Sequence, residues 1–267
     1  MRNRVARSFV AAIAVAVVLS WAAARPAAQA PATSAKPSAT PAQAIKRTAD
    51  GKPNLAGTWQ GGGVSLYGEP GTGPAPPPPA IPPPPRQPLS FQPWAAEKNK
   101  QLTPSDDPIA HCLLPGVPRI ITMPMPLEIV QTPEKIVILY EAFRAFRIVP
   151  INNQLKHPDD LVPTWMGDSV GRWDGDTLVV DVIGFNDKTW LGGGPSVHSE
   201  ELHVVERYRL APDGTIAYEA TVQDPKALTK PWTTGSTLRT PRNTRVEEYE
   251  CIENNQDLAH MPALKGK

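Results

Sequence analysis

After residue 126 the chain alternates between short runs of β-branched and aromatic residues and short turn sequences. Predicted strands cover residues 127–132, 135–141, 146–151, 170–173, 177–183, 202–210, 215–223, 233–240 and 245–252. Asp-Gly pairs at residues 174–175 and 213–214 separate such runs, and these pairs favour tight hairpins because both residues tolerate a positive φ. Short runs joined by tight turns predict antiparallel sheets.

A further short run around Trp59 brings the prediction to about 8–10 strands, as expected of a closed barrel or a two-layer sandwich. We predict an all-β fold, either an antiparallel β-barrel or a barrel-like sandwich, because barrel closure removes exposed strand edges. Only short stretches such as residues 93–101 suggest a helix.

Proline divides the chain, since 23 of its 33 prolines lie at or before Pro126. Residues 31–50 are rich in Ala, Pro, Ser and Thr, a composition that predicts a disordered linker. Residues 70–88 contain two runs of four prolines and predict a polyproline II spacer or a surface loop. We predict a single β domain over residues 51–267, with residues 54–60 as a first strand that docks across this Pro-rich loop.

The N-terminal sequence predicts export. Three arginines within the first seven residues precede an apolar run of 16 residues, from Phe9 to Ala24. A basic flank, a short apolar core and small residues after it are typical of a secretory signal peptide, and a membrane span needs roughly 20 apolar residues. We predict a signal peptide over residues 1–30, cleaved after Ala30 or, alternatively, after Ala24.

The charge of the mature chain excludes one class of partner. Removing residues 1–30 takes away four arginines and no acids, which lowers the formal charge from +1 to −3. Such a chain lacks the positive field that nucleic-acid binding requires. No later apolar run is long enough to cross a membrane. We therefore expect a periplasmic or extracellular protein with no permanent membrane span, and its oligomeric state stays open.

Two cysteines, Cys112 and Cys251, lie in the predicted mature chain. In an oxidising compartment an even pair favours a disulfide, with two reduced thiols as the alternative. The bond would join the start of the folded domain to its end.

Two resemblances accompany these patterns. Gly57-Thr58-Trp59 resembles the Gly-x-Trp signature on the first strand of lipocalins and related calycin barrels, which implies a barrel whose cavity binds small, mostly apolar ligands. A larger part of the chain is similar to a family of exported bacterial proteins without an assigned activity. The blocks that carry this resemblance are CLLPGVPR, HPDD, PTWMGDSVGRWDGDTLVVD, GFND and HSEELHVVERY.

The densest polar cluster contains His198, Glu201 and His203 at the entrance of a predicted strand. Histidine and carboxylate groups close together can transfer protons near neutral pH or ligate a metal. Side chains two apart on a strand share a face, so we expect Glu201 and His203 to point the same way, with His198 reaching in from the loop. We predict these three residues and Asp159 as catalytic candidates. If a metal binds, His198, His203 and Glu201 are its predicted ligands, although no cofactor is strongly implied.

Ligand-binding candidates lie in loops and at strand ends. Trp165 and Ser169 combine an indole with a hydroxyl, as at the mouth of a mostly apolar pocket. His157 and Asn186 add polar groups, and Arg119 can bind a carboxylate or a phosphate.

From these observations we predict an exported β-barrel protein that binds a small molecule, with lipidic and aromatic compounds as the candidate classes. The alternative is an exported hydrolase or lyase that uses the His, Glu and Asp cluster, either with or without a metal. Whether the protein is an enzyme stays open, because a fold does not determine a function.

Overall fold

The computed structural model describes residues 44–61, 77–85, 87–241 and 245–253. Within these residues nine strands form two antiparallel sheets, which confirms the predicted all-β class. The first sheet has the order β1-β2-β3-β4, with strands Gly57–Gln60, Pro126–Gln131, Lys135–Tyr140 and Phe146–Pro150. The second has the order β5-β6-β7-β8-β9, with strands Asp168–Asp174, Thr177–Ile183, His203–Leu210, Ile216–Gln223 and Trp232–Leu238. The predicted helix is α1, Pro93–Gln101.

Turn chemistry fixes two of the hairpins. Gly175 closes β5–β6 with a φ of 57°, and Gly214 lies between β7 and β8 with a φ of 78°. Glycine adopts these angles without the steric cost that a Cβ imposes. The predicted first strand is also confirmed, since β1 pairs antiparallel with β2 across the Pro-rich region.

The alternating sequence pattern decides which side chains face the core. In β3, Ile136, Ile138 and Tyr140 are buried, whereas Lys135 and Leu139 are exposed. In the second sheet the inward positions of β6 and β7 carry mainly valine, leucine and tyrosine. Inward side chains of both sheets meet in a single hydrophobic cluster.

Two isolated bridges join the sheets at their ends. Gln60 at the end of β1 forms an antiparallel bridge with Arg239 just beyond β9, and Ile151 after β4 forms a parallel bridge with Gly171 of β5. A continuous ladder across either junction is not found in the part of the chain that the structure describes. The closed barrel therefore stays a prediction, whereas two antiparallel sheets around one core are established.

The disulfide prediction is confirmed, and the last predicted strand is wrong. Cys112 and Cys251 are bonded, with their Cα atoms 5.5 Å apart. Residues 245–250 are not in a strand; they are held by other contacts instead, including a long-range hydrogen bond from the Glu247 amide to the Glu141 carboxylate. Four of these six residues are charged, so the segment has no apolar side to bury in a sheet.

The described part of the Pro-rich region lies against the second sheet. The Arg239 guanidinium donates a hydrogen bond to the Pro77 carbonyl at 3.1 Å, and the Trp232 indole N–H donates to the Gln87 carbonyl at 2.9 Å. These contacts make residues 77–85 and 87–88 a docked surface loop, and the free-spacer alternative does not apply to them.

Several predictions fall outside the described residues. The signal peptide, most of the predicted linker and residues 70–76 belong to this group. Among the helices that the structure describes, none has the length and apolar character of a membrane span.

Candidate functional site

Four titratable side chains meet on the outer face of the second sheet. Asp168 begins β5, Asp181 lies in β6 and His203 begins β7; each stands beside inward-facing core residues and so points outward. His157 reaches them from the loop between β4 and β5. Its Nδ1 lies 2.6 Å from Asp168 Oδ1 and its Nε2 lies 3.1 Å from Asp181 Oδ2. The His203 Nε2 lies 2.7 Å from Asp181 Oδ1. We call these four residues the His–Asp cluster.

Local sequence features hold the loop that carries His157. Thr164 forms a parallel bridge with Phe185, supported by hydrogen bonds from the Thr164 amide to the Gly184 carbonyl and from the Asn186 amide to the Thr164 carbonyl. Gly167 then leads into β5 with a φ of 66°, in a space where a Cβ would lie 2.8 Å from the Ile183 carbonyl oxygen. Only glycine fits this close approach, so the loop is fixed over the ends of β5 and β6.

The electrostatics of the cluster centre on Asp181. Burial by itself raises the pKa of Asp181, but hydrogen bonds from His203 and His157 outweigh it and lower that pKa below its ordinary value. The same hydrogen bond to Asp181 raises the pKa of His203, against a smaller opposing effect of burial. The pair is therefore stabilised as imidazolium and carboxylate.

A cavity of about 330 Å³ adjoins the cluster. It lies where β4 and β5 meet, at the junction of the two sheets. The imidazole of His157, the Asp168 carboxylate and the Ser169 hydroxyl belong to its wall, together with Asn152 and Lys156. The remaining lining residues are apolar: Pro150, Pro158 and Val170.

A buried ion pair stands behind this cavity. The Arg147 guanidinium, on β4, donates to both carboxylate oxygens of Glu206, on β7, at 3.2 and 2.5 Å. Tyr208 and Tyr218 both donate their hydroxyls to Glu206 Oε1 at 2.9 Å. A second Arg147 contact, 2.9 Å long, runs to the Ser169 Oγ. The network links the two sheets through the core and ends at the cavity wall.

Burial dominates the chemistry of this network. It raises the pKa of Tyr140, beside Arg147, to about 12 and raises the pKa values of Tyr208 and Tyr218 well above their ordinary value. All three phenols therefore stay neutral; Tyr208 and Tyr218 donate to Glu206, and Tyr140 accepts from Arg147 at 3.5 Å. The Arg147 Nε has no hydrogen-bond partner among the residues that the structure describes.

Sequence reasoning missed Arg147, Glu206 and Asp181, and it noted Asp168 only as an acid near Ser169 without predicting it as a site residue. The signal for the first two was present, because Arg147 shares the inward parity of Val149, and Glu206 shares that of Val204. A charged residue at an inward position of an alternating strand predicts a buried partner. No comparable signal pairs Asp168 and Asp181, since their meeting depends on strand register.

The predicted catalytic set is not brought together. His198 is buried, its Nε2 lies 2.7 Å from the Thr189 hydroxyl, and burial lowers its pKa. Glu201 lies before β7 begins and pairs with Lys226 at 2.7 Å. Asp159 is exposed. Of the predicted catalytic residues, only His203 belongs to the His–Asp cluster. Because β7 starts at His203, Glu201 lies in the preceding turn and does not share a strand face with it.

The ligand-binding candidates do not share one site. His157 and Ser169 line the cavity beside the cluster, whereas Arg119 lines another cavity, of about 690 Å³, and is held by a two-pronged ion pair with Asp107. Trp165 packs on the core edge beneath Lys188.

Asn186 builds a turn, as its side-chain oxygen accepts from the Lys188 amide at 3.1 Å. This contact is local, and Asn186 is not a lining residue of either cavity described above.

The predicted metal set also fails geometrically. No group of three or more His, Cys, Asp or Glu side chains in a metal-binding arrangement occurs within residues 44–61, 77–85, 87–241 and 245–253.

Comparison with known proteins adds no assignment. No protein-family model matches the chain, and no match was found among curated proteins or among solved structures. The resemblance to exported bacterial proteins stays a prediction, and the function has to be inferred from the site itself.

Proposed function

We propose that this is an exported small-molecule-binding protein whose ligand occupies the cavity beside His157, Asp168 and Ser169. The size and lining of that cavity support the proposal. Ligand pockets of proteins have volumes of roughly 300–1,000 Å³ and combine mostly apolar walls with a few placed polar groups. The cavity of about 330 Å³ lies at the small end of this volume range, and its wall combines two prolines and a valine with five polar side chains.

The observation that carries the proposal is the hydrogen bonding of Ser169. A guanidinium can only donate, so Arg147 uses the Ser169 oxygen and leaves the hydroxyl proton free. No acceptor for that proton is found among the described residues. Ser169 is buried, and a buried donor without an acceptor is costly. A ligand that presents an oxygen or nitrogen acceptor in the cavity would relieve this cost.

The rigidity of the surroundings also favours binding. Arg147 is fixed by Glu206, and His157 is held by carboxylates at both ring nitrogens. Groups held this way lose little conformational entropy when a ligand arrives. We infer that the site is preformed.

The proposal includes a barrel-like arrangement of the two sheets in place of a closed barrel. We infer a barrel-like arrangement of the two sheets, on the basis of the bridges Gln60–Arg239 and Ile151–Gly171. The buried Arg147–Glu206 network occupies the core between the sheets. The proposed ligand site therefore lies at a junction of the sheets, unlike the central cavity that the lipocalin resemblance implies.

Export remains part of the proposal. The basic and apolar N-terminal sequence supports a signal peptide, and the Cys112–Cys251 bond is compatible with an oxidising compartment. N-terminal sequencing of the protein from the exported fraction checks this part. A mature N-terminus near residue 25 or 31 supports it, and an intact Met1 contradicts it.

Native mass spectrometry of the protein purified from its own exported fraction tests the binding proposal. We expect a co-purified organic mass on the wild-type protein, and its loss from a Ser169→Ala variant that far-UV circular dichroism shows to be folded. The matched control is Thr240→Ala, which removes an exposed hydroxyl from a residue outside the cavity lining. A ligand retained equally by both variants would contradict the assignment of the site.

The hydrolase or lyase alternative has one observation in its favour. Asp181 orients His203 through Nε2, and the His203 Nδ1 makes no hydrogen bond to any described residue. An oriented imidazole with one free nitrogen can act as a general acid or base. His157 cannot serve as the base for Ser169, because Asp168 and Asp181 occupy both of its ring nitrogens.

A screen of ester, glycoside and lyase substrates tests the alternative. An activity that falls at least a hundredfold in a His203→Gln variant, in the range of general acid–base contributions, would favour the enzyme. Equal activity in the variant would assign the turnover to a contaminant or to another site.

A further inference from the structure

Five apolar side chains lie together on the outer face of the first sheet, turned away from the core. The strand register places Val130, Val137 and Ile148 in one row across three strands, and Leu139 and Phe146 in the next row. Phe146 is 64% exposed, Ile148 50%, Val130 43% and Leu139 38%. We call these five residues the apolar face.

An apolar surface at this position needs an explanation. Antiparallel sheets that cover a core on one side usually carry polar residues on the other side. The second sheet follows this rule, with Arg207, Arg209 and Glu219 among its outward residues. The apolar face presents a contiguous patch on the order of a few hundred Å², the size at which patches on a protein surface mark interaction sites.

Two opposite charges stand at opposite ends of the apolar face. Glu128 on β2 is the register neighbour of Leu139, and Lys135 on β3 is the register neighbour of Pro150. Neither forms an ion pair with any residue that the structure describes. The surface is therefore apolar in its middle, negative at one corner and positive at the other.

We propose that the apolar face binds the same face of a second copy of this chain. A two-fold interface uses the same patch on both copies, so each group must find its complement on the patch itself. A two-fold axis in the plane of the face, passing between Val130 and Val137, exchanges the corners held by Glu128 and Lys135. Each copy then offers its carboxylate to the ammonium of the other, and two ion pairs flank the buried apolar rows.

The charge pattern favours a second copy over a lipid surface. An anionic membrane selects for clusters of Lys and Arg around an apolar patch. Here Glu128 lies in the same row as Leu139 and Phe146, where it would oppose an anionic surface. The modest area predicts a dimer of moderate affinity, since stable partners bury about 800 Å² each.

Sedimentation of the mature protein over a wide concentration series tests the proposal. We expect a concentration-dependent monomer–dimer equilibrium that a Phe146→Asp variant abolishes. Glu128→Lys and Lys135→Glu should each weaken the dimer about tenfold or more, because each places like charges together twice. The double variant Glu128→Lys/Lys135→Glu should restore dimerisation, since it exchanges the corners without changing the composition. Far-UV circular dichroism verifies that each variant is folded.

Several results would overturn the proposal. One is a wild-type protein that stays monomeric throughout the concentration series. Another is a double variant that dimerises no more tightly than either single variant. Dimerisation that requires removal of residues 254–267 would assign the face to the protein's own C-terminal segment. Flotation of a monomeric protein with phosphatidylglycerol vesicles, lost in Phe146→Asp, would assign it to a lipid surface. None of these outcomes bears on Ser169 and its cavity, so the proposed function is tested separately.

Discussion

Glu206→Gln removes one negative charge from the core while keeping the shape of the side chain. In the native protein the Glu206 side chain is 0% exposed, and the Arg147 side chain that it neutralises is 3% exposed. The variant can still accept hydrogen bonds from Tyr208 and Tyr218 at its amide oxygen. It leaves Arg147 charged, buried and without a counter-charge.

The structure sets the expected magnitude. Removing one partner of a buried ion pair typically costs about 3–5 kcal/mol, because the other charge cannot return to water. Domains are stable by about 5–15 kcal/mol, so the variant should lose a large part of its stability. For a chain of this size, each kcal/mol lost from the free energy of unfolding lowers the thermal unfolding midpoint by about 2–4 °C. The variant should therefore melt on the order of 10 °C below the wild type.

Urea unfolding with the disulfide intact, followed by tryptophan fluorescence, measures this loss. The matched control is Glu219→Gln, which removes the same charge from the outer face of β8 and should change stability by less than about 0.5 kcal/mol. In Arg147→Met/Glu206→Gln both charges are gone, so the double variant should be more stable than Glu206→Gln alone. A cost below about 1 kcal/mol for Glu206→Gln would refute the reasoning, because it would mean that Arg147 regains water or another partner.

Three further outcomes follow from other contacts. The raised pKa of His203 means that its ion pair stabilises the fold fully below the pKa of the unfolded histidine, about 6.5, and that this gain is lost as pH rises through the folded pKa. Thermal unfolding measured at two pH values should therefore show a larger midpoint difference between wild type and His203→Gln at pH 5.5 than at pH 9. A difference that does not change with pH would contradict the ion pair. The Cys112→Ala/Cys251→Ala variant should lose up to about 4–5 kcal/mol in urea unfolding by the chain-entropy rule for a long loop, whereas no loss would mean that the unfolded chain is already constrained there. Gly175→Ala should lower the free energy of unfolding by about 1–2 kcal/mol, because a φ of 57° is unfavourable for alanine. The control Gly193→Ala should cost less, because an added Cβ meets no atom within 4 Å at either position and Gly193 does not have a positive φ.

The sequence alone predicted the all-β class and most of the strands, because these follow from local patterns. Alternating apolar residues in β3 and the Asp-Gly turn at Gly175 act over only a few residues. The cysteine pair was also predictable, since a chain with two cysteines has one possible intramolecular bond. The segment at 245–252 was mistaken for the partner of the preceding strand, although four of residues 245–250 are charged and leave it few apolar side chains to bury.

The site was only partly predictable. His157, Ser169 and His203 were recognised as residue types that carry chemistry, but their grouping was wrong. His198 lies five residues before His203, and sequence proximity suggested a shared site. In the fold the His198 ring is buried against Thr189, because the chain turns before β7 begins.

The sequence by itself determined what kind of elements this protein forms. Tertiary structure decided which side chains meet. Asp168 and Asp181 lie on neighbouring strands, and His157 reaches them only because the loop before β5 folds back over the sheet. Arg147 and Glu206 are 59 residues apart and belong to different sheets. Such contacts depend on strand register and sheet packing, which are set by burial across the whole core, so no local pattern contains them.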